Sequence, residues 1–358
     1  MKIATIVGAR PQFIKAATIS RAISEQSGIS EVLIHTGQHF DKNMSDVFFT
    51  ELDIRKPDHL LGIGGGTHGE NTGRMVEAIE RVMIAEKPDW VLVYGDTDST
   101  LAGALAAVKL HIPLAHVEAG LRSFNRRMPE EINRVLTDHA SDLLFVPTST
   151  AIKNLGNEGI SGEKVNLVGD VMYDATLYYQ GKARKPSSIE IRDEAPFVLC
   201  TIHRAENTDD VARLTAIVRK LNRLAEQTPV VLPLHPRTVS ALKRLPGVSL
   251  SPFMLVIDPV GFLEMSWLLA KCSLVLTDSG GVQKEAYFHK KPCITLRDET
   301  EWVELVDAGC NRLMSPFLPD FIDVVTRMSQ TKILDSSHIY GDGRAANRTL
   351  DVLRTSTI

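Results

Sequence analysis

Short apolar runs alternate with helix-forming stretches along the first half of the chain. The runs are "KIATIVG", "EVLIHTG", "DWVLVYGD", "IPLAHVEAG", "DLLFVPT" and "VNLVGD", and the predicted helices between them cover about 11–25, 99–110 and 149–157. The runs are apolar at consecutive positions, which indicates strands that are buried on both faces. This rhythm predicts βαβ units on a parallel sheet.

The alternation of apolar runs and predicted helices is interrupted once and then resumes. Residues 181–195, "GKARKPSSIEIRDEA", lose the hydrophobic period and are rich in charge, serine and proline, so we predict an interdomain linker there. Beyond it, five more apolar runs alternate with predicted helices at 209–227, 237–245, 262–271 and 281–289. The sequence thus predicts two doubly wound α/β domains, with the ligand at the carboxyl ends of the strands in the cleft between them.

Composition narrows the class of protein. The 358 residues are 44% hydrophobic and 23% charged, and a net charge of −4 gives no reason to expect nucleic acid as a partner. No apolar run approaches ~20 residues, so we expect no membrane-spanning helix. Four scattered cysteines without a CxxC pair fit buried free thiols in a reducing compartment. We therefore expect a cytoplasmic protein.

Charged residues follow the predicted strands of the first half. "GARPQFIK" brings Arg10 and Lys15 to a helix N-terminus, where they fit either an anion site or the surface cations of an ordinary βα turn. "YGDTDST" places Asp96 after a buried strand, where an acid or Thr97 also suits a helix N-cap, and "AHVEAGLRS" places Glu118 after the next strand. A carboxylate buried there without a partner is unfavourable, so Glu118 is either paired with an arginine or used in chemistry.

The following helix begins in "MPEEINR". Pro129 occupies its first position, and Glu130 and Glu131 lie in its first turn. Acidic residues there interact favourably with the helix dipole and need no catalytic role. This explanation suits Glu131 better than Glu130.

Histidine–arginine pairs follow two strands of the second half. "TIHRAEN" puts His203 and Arg204 at one strand end, and "PLHPRT" puts His235 and Arg237 at the next. A lone histidine usually has a structural role, but two such pairs at successive strand ends favour a functional site.

A serine–glycine helix start follows a later strand. In "TDSGGVQKEA", the free N–H groups at Ser279, Gly280 and Gly281 suit phosphate oxygens, and Glu285 lies one turn on, where it suits ribose hydroxyls. Phe262 offers a face for a planar base, although its spacing also fits an ordinary core aromatic. These residues predict a nucleoside diphosphate site. The first strand lacks a following GxGxxG, so nothing supports a nicotinamide cofactor.

Seven ordered motifs span nearly the whole chain: "GARPQFIK", "YGDTDST", "HVEAGLRS", "MPEEINR", "HRAEN", "LTDSGGVQKEA" and "YGDG". In order and spacing they resemble the non-hydrolysing UDP-N-acetylglucosamine 2-epimerases. The resemblance implies two Rossmann-like domains of the GT-B type, with the C-terminal helix "RAANRTLDVLR" crossing back onto the first domain. The expected boundaries are 1–170 with 343–358 for the first domain and 171–342 for the second.

The resemblance also implies a reaction. C2 of a UDP-2-acetamido sugar is inverted without a cofactor or a metal: UDP leaves by anti elimination with the C2 proton, giving a bound 2-acetamidoglucal, and then re-adds. Carried over by motif, Asp96, Glu118 and Glu130 are the acid/base candidates, and His203 supports the diphosphate or the proton transfers. The implied binding residues are Arg10, Lys15, Arg134, Arg204, His235, Phe262, Ser279, Gly280, Gly281 and Glu285. A homodimer is the expected assembly.

Two departures from the family pattern concern the first half. Gln12 stands where the family often has an acid, in "GTRPE". After Gln38 and His39, the chain departs from the "QHREML" pattern with which some bacterial members bind a regulatory UDP-N-acetylglucosamine. The second departure argues against such regulation.

Three segments are more similar to one branch of the family. "GARPQFIK", "SFNRRMPEE" and "DETEWVEL" resemble enzymes that act on UDP-2,3-diacetamido-2,3-dideoxy-glucuronate, a precursor for lipopolysaccharide and O-antigen synthesis. Arg126 and Arg127 either meet the C6 carboxylate bidentately or are surface arginines.

Three other readings share part of this evidence. A hydrolysing epimerase would release free UDP, and a GT-B glycosyltransferase would need an acceptor groove. A non-catalytic nucleotide-binding module would leave the three carboxylates as salt-bridged structural groups. The clustering of those carboxylates in the first half favours the epimerase.

Overall fold

The computed structural model describes residues 1–38, 52, 54–191, 195–245, 247–334 and 339–356, with the backbone but not the side chain of Arg10. The segment after Gln38, which bears on the regulatory site, lies outside these residues from His39 onward. The chain separates into two compact units, Met1–Leu177 with His338–Ile358, and Tyr178–Ser337.

The first unit is built on a parallel sheet. Its described strands are β1 (Lys2–Val7), β2 (Ser30–His35), β3 (His59–Leu60), β4 (Trp90–Tyr94), β5 (Leu114–Val117), β6 (Leu143–Val146) and β7 (Val165–Leu167). Their order is β3-β2-β1-β4-β5-β6-β7, and every pair is parallel. The carboxyl ends of β1, β4 and β5 therefore lie side by side at one edge.

Helices connect these strands. They are α1 (Arg10–Ser24), α2 (His68–Glu86), α3 (Asp98–Lys109), α4 (Pro129–Ala140), α5 (Ser149–Asn157) and α6 (Val171–Gln180), and the division between the units falls within α6. Gly103 lets α3 lie close to the sheet, because a Cβ there would be 3.0 Å from Val93 and 3.1 Å from Ile6. Helix α3 therefore packs closely against the strands β1 and β4.

The second unit repeats the parallel plan. Its described strands are β8 (Val198–Thr201), β9 (Val230–Pro233), β10 (Met254–Ile257), β11 (Leu274–Thr277), β12 (Cys293–Thr295) and β13 (Asn311–Leu313), in the order β10-β9-β8-β11-β12-β13. The helices are α7 (Ala205–Thr208), α8 (Val211–Ala225), α9 (Pro236–Leu242), α10 (Phe262–Lys271), α11 (Gly280–Phe288), α12 (Val303–Asp307) and α13 (Phe321–Ser329). The carboxyl ends of β8 and β11 are adjacent, because these strands pair.

The segment predicted to be an interdomain linker, 181–195, belongs to the second unit. Ile189 and Ile191 are buried in its core together with Phe197. The linker prediction is wrong for residues 181–191, which form no helix or strand but bury two isoleucines in this core. The polar composition of this segment does not indicate that the two isoleucines are buried.

The last described helix, α14 (Ala345–Thr355), belongs to the first unit and packs against α1. Leu350 and Leu353 are among its buried residues. The buried carboxylate of Asp174, on α6, accepts the N–H of Ala346 at 2.9 Å and so caps the start of α14. Burial raises the pKa of Asp174 to about 6.

The cysteines agree with the expectation from composition. Cys200, Cys272, Cys293 and Cys310 are free and buried, and burial raises the pKa of Cys293 to about 12. Within the described ranges, no helix has both the length and the apolar character needed to cross a bilayer.

Candidate active site

The turn after β4 brings three predicted site residues together. Gly95 has a φ of 62°, and a Cβ built on it would lie 3.2 Å from Lys15 Nζ and 3.3 Å from Glu118 Oε2. Asp96 is the next residue along the chain. A residue without a side chain is therefore needed at Gly95, both for its backbone conformation and for the close approach of the two charged groups.

Glu118 is held by a buried ion pair. The ammonium of Lys15 donates to Glu118 Oε2, and the two side chains are 10% and 7% exposed. The backbone of Glu118 has a φ of 69°, a strained conformation for a residue with a Cβ, and its N–H bonds to the carbonyl of Phe145 at 3.0 Å. The cation at Glu118 Oε2 is thus Lys15, whereas Arg122 pairs with Asp138 and Glu158.

Asp96 is anchored from α4. Arg134, which is 4% exposed, donates one guanidinium nitrogen to Asp96 Oδ2 and the other to Glu131 Oε2 at 3.2 Å. The Asp96 side chain itself remains 30% exposed. The arginine expected to bind the nucleotide therefore fixes the direction of a partly exposed carboxylate.

The two acids in the first turn of α4 differ in their surroundings. Glu131 is buried and accepts the N–H groups of Ser123 at 2.9 Å and Phe124 at 3.0 Å. Glu130 is only half-buried. The structure thus gives Glu131 a structural role, as expected, and leaves Glu130 as the more accessible carboxylate.

The helix cap after β4 is Thr97. Its Oγ1 accepts the N–H of Thr100 at 3.3 Å. Asp98 is buried and pairs with His68 at 2.9 Å. Thr97 therefore supplies the N-cap, and Asp96 is not needed for it.

Gln12, which stands where the family often has an acid, is fully engaged. Its Oε1 accepts the N–H groups of Gly8 at 2.8 Å and Ala9 at 3.0 Å, and its Nε2 donates to the Tyr94 carbonyl at 2.7 Å and to Thr100 Oγ1 at 2.9 Å. An amide both donates and accepts, whereas a carboxylate only accepts. Gln12 therefore ties the turn after β1 to the turn after β4. The Arg10 side chain lies outside the described part.

In the second unit, Asp278 organises the loop that carries the first histidine. Its carboxylate accepts the N–H of His203 at 3.0 Å, the N–H of Arg204 at 3.0 Å and Nδ2 of Asn207 at 3.0 Å. Asp278 is fully buried at the end of β11. It was missed in the sequence, although an acid between a buried strand and Ser-Gly-Gly was a visible signal.

The expected helix start lies directly after Asp278. Ser279 is the N-cap of α11, and its Oγ accepts the N–H of Val282 at 3.5 Å. A Cβ on Gly280 would lie 3.0 Å from Glu301 Oε1 and 3.7 Å from Arg204 Nη2. The predicted Ser279–Gly281 start is therefore confirmed as a helix N-terminus, with an arginine beside it. Such an end attracts anions.

The remaining predicted residues lie in the same unit. The rings of His203 and His235 are 5.4 Å apart, and burial lowers the pKa of His203 against the opposing charge of Asp278. Phe262 is 7% exposed and packs edge-on against Tyr179, with ring centroids 5.5 Å apart. Phe262 is therefore a core aromatic, as its spacing allowed, and a base-stacking role for it stays a prediction. Glu285 is half-buried.

Known proteins are similar to this chain over nearly its whole length. The family model described as UDP-N-acetylglucosamine 2-epimerase matches residues 21–354. The chain is 57% identical, over 99% of both chains, to a UDP-2,3-diacetamido-2,3-dideoxy-D-glucuronate 2-epimerase from Pseudomonas aeruginosa. It is 45% identical, again over 99% of both, to a UDP-N-acetylglucosamine 2-epimerase from Methanocaldococcus jannaschii.

Solved structures show the same fold. A Methanocaldococcus jannaschii UDP-GlcNAc 2-epimerase, crystallised with UDP-GlcNAc and UDP, has a TM-score of 0.89 at 43% identity, over 99% of this chain and 100% of that one. A Neisseria meningitidis UDP-GlcNAc 2-epimerase bound to UDP-GlcNAc has a TM-score of 0.88 at 31% identity, with the same coverage. They confirm the predicted pair of Rossmann-like GT-B domains. The chain therefore belongs to the UDP-N-acetylglucosamine 2-epimerase family and is an epimerase.

Proposed function

We propose that this enzyme inverts C2 of UDP-2,3-diacetamido-2,3-dideoxy-glucuronate to give the mannuronate epimer, for surface polysaccharide synthesis. The observation that supports this substrate is the 57% identity over 99% of both chains to the Pseudomonas aeruginosa enzyme of that name. A relative from Methanococcus maripaludis named UDP-N-acetylglucosamine 2-epimerase is less similar, at 41%. Plain UDP-N-acetylglucosamine is therefore the competing substrate.

The proposed mechanism is anti elimination of UDP followed by re-addition. The C2 proton passes to a carboxylate while the C1–O bond breaks and its electron pair leaves with UDP, giving a bound 2-acetamidoglucal. UDP then re-adds at C1 as an acid protonates C2 on the opposite face. Two acid/base groups are needed, and Asp96 and Glu118 flank the same glycine, with Glu130 as the third candidate.

The second unit is proposed to hold the departing UDP. The N-terminus of α11 supplies partial positive charge and Arg204 full positive charge for the diphosphate, and the rings of His203 and His235 are proposed to donate hydrogen bonds to it. Glu285 is proposed for the ribose and Phe262 for the base, and Arg10 remains a proposed phosphate ligand. Since the Lys15 ammonium pairs with Glu118, we assign Lys15 to the positioning of that acid.

The test offers both UDP-sugars without any acceptor, in D₂O, and follows C2 by NMR. Inversion with deuterium at C2 and no accumulation of free UDP is expected, with the uronate turned over faster. Retention of the original hydrogen would refute the elimination mechanism. Accumulating UDP would indicate a hydrolysing enzyme, and faster turnover of the neutral sugar would refute the substrate assignment.

The acid/base roles are tested by Asp96→Asn and Glu118→Gln. Each should lower kcat by about 10²–10⁴, the usual contribution of a general acid or base, while UDP still binds. Glu77→Gln, on the exposed face of α2, is the matched control. Near-normal activity of both site variants would show that these carboxylates are structural.

A cytoplasmic location and a homodimer complete the proposal. The four free, buried thiols support a reducing compartment, and the dimer is an expectation from the family. Light scattering on the purified chain tests the assembly directly, since a monomer mass at working concentration would contradict the dimer.

A further inference from the structure

The turn between β4 and α3 is held in an unusual way. The carbonyl oxygens of residues 94, 95 and 96 each accept a hydrogen bond from a side chain of a different element. The donors are Gln12 of α1 at 2.7 Å, His116 of β5 at 2.7 Å and Asn133 of α4 at 3.0 Å. Nothing in the proposed mechanism so far uses the middle donor, His116.

His116 is completely buried, and both of its ring nitrogens face acceptors. Nε2 lies 2.7 Å from the Gly95 carbonyl oxygen, and Nδ1 lies 2.7 Å from Asp138 Oδ1. A carbonyl oxygen accepts and never donates, so Nε2 carries a proton. The charge state of His116 is then decided by what Asp138 requires at Nδ1.

Asp138 is an ionised acceptor. Its second oxygen, Oδ2, takes a hydrogen bond from Arg122 at 2.7 Å and another from the N–H of Gly120 at 3.1 Å. The charge of Arg122 and these two hydrogen bonds favour the ionised form of Asp138. Both ring nitrogens of His116 therefore donate, which makes the ring an imidazolium.

The surroundings compensate this buried charge. Arg122 bridges Asp138 to Glu158, whose Oε1 lies 2.6 Å from the arginine Nε. Two cations, His116 and Arg122, thus face two carboxylates, Asp138 and Glu158. On the other side of Gly95 the Lys15–Glu118 pair is neutral as a whole. Buried charges that are paired and fully hydrogen-bonded in this way are tolerated.

We propose that His116, as an imidazolium held by Asp138, is a positioning residue that fixes the Gly95–Asp96 turn for the C2 chemistry. The N–H of Gly95 also bonds to the Val117 carbonyl at 3.0 Å, so β5 holds this residue from both sides. A fixed turn sets where the Asp96 carboxylate points. The role of the turn in catalysis rests on the acid/base assignment of Asp96 proposed above.

The charge of the ring is tested by ¹⁵N NMR of the histidine-labelled enzyme at pH 8. A free imidazole, with a pKa of about 6.5, is neutral at that pH. The His116 signals, identified by their loss in His116→Gln, should show two protonated ring nitrogens coupled to non-exchanging protons. One unprotonated ring nitrogen would overturn the imidazolium. This measurement on the wild-type enzyme does not depend on any role for Asp96.

The positioning role is tested by two conservative variants. The amide nitrogen of glutamine reaches the place of Nε2 and can still donate to Gly95, whereas that of asparagine reaches only the place of Nδ1. We expect kcat to fall at least tenfold further in His116→Asn than in His116→Gln, with KM for the UDP-sugar little changed, because displacing a catalytic group by about 1 Å costs on the order of 10²-fold.

Thermal melting of both variants supplies the comparison. Equal losses of kcat in the two variants, following their melting temperatures, would show that His116 is only structural and would overturn the proposal. A fully active Asp96→Asn enzyme would instead refute the assignment of Asp96, while the NMR result on His116 would stand. The experiments therefore distinguish a failure of the His116 proposal from a failure of the Asp96 assignment.

Discussion

Removing one charge of the Lys15–Glu118 pair should destabilise the protein far more than removing both. The side chains are 10% and 7% exposed, so Lys15→Met or Glu118→Gln leaves a charge buried without its partner. Such a loss costs about 3–5 kcal/mol, a large part of the roughly 5–15 kcal/mol that holds a protein folded. In the double variant neither charge remains, and stability should return to within about 1–2 kcal/mol of the wild type.

The assay is urea denaturation of all four proteins, read as a double-mutant cycle, with kcat measured on the same samples. The double variant should be stable and yet nearly inactive, because it lacks the proposed acid/base group. Arg81 and Glu77 on α2 form an exposed control pair, 74% and 65% exposed, whose cycle should give only about 0.3–0.5 kcal/mol.

The result that would refute this reasoning is additivity. If the double variant lost as much stability as the two single variants together, the pair would not be a mutually compensating buried ion pair. Recovery of activity in the double variant would argue against Glu118 as an acid/base group.

Three further predictions concern other parts of the chain. Replacing Arg126 or Arg127 by glutamine should lower kcat/KM for the uronate by roughly 10–10²-fold, as the loss of a charge-assisted hydrogen bond requires, and should leave kcat/KM for the neutral sugar nearly unchanged. Equal losses on both substrates would show that these residues are surface arginines. Because burial raises the pKa of Asp174 to about 6, its contribution to stability is present below its unfolded value of about 3.9 and is lost as pH rises through 6. The stability of the wild type relative to Asp174→Asn should therefore fall by about 2 kcal/mol between pH 4 and 7, and a pH-independent difference in urea denaturation would contradict this. Gly8→Ala should destabilise the protein by about 1–3 kcal/mol or more, since the new Cβ would lie 2.0 Å from a serine hydroxyl. Gly156→Ala in α5 should be neutral or stabilising, because a Cβ there meets nothing within 4 Å. Equal melting temperatures of the two variants would show that the turn at Gly8 has room for a side chain.

Much of the fold was predictable where local signals agree. The bounds of α5 and α10 match the prediction residue for residue, because each combines a strong apolar period with a capped start. Helix α2 was not predicted, although Thr67 caps it and Met75, Ile79 and Met83 recur every fourth residue on its buried side. The cap residue and the apolar spacing are both visible in the sequence.

The candidate site was also predictable from the sequence only in part. The sequence placed Asp96 and Glu118 after two strands, and these strands are parallel neighbours that end at one edge of the sheet. The sequence left open whether Glu118 pairs with an arginine or is used in chemistry, and it did not point to Lys15, which lies 103 residues away in the chain. The side chains that donate to the carbonyl oxygens of residues 94–96 come from three different elements, and the spacing of residues in the sequence does not predict such contacts.

The return of α14 to the first unit has a consequence for biosynthesis. The ribosome completes Met1–Leu177 first, but α1 lacks the helix that covers it until the whole second unit has been made. The half that is synthesised first is thus the last to be finished. A released chain truncated before Ala345 should display the uncovered face of α1 and bind chaperones.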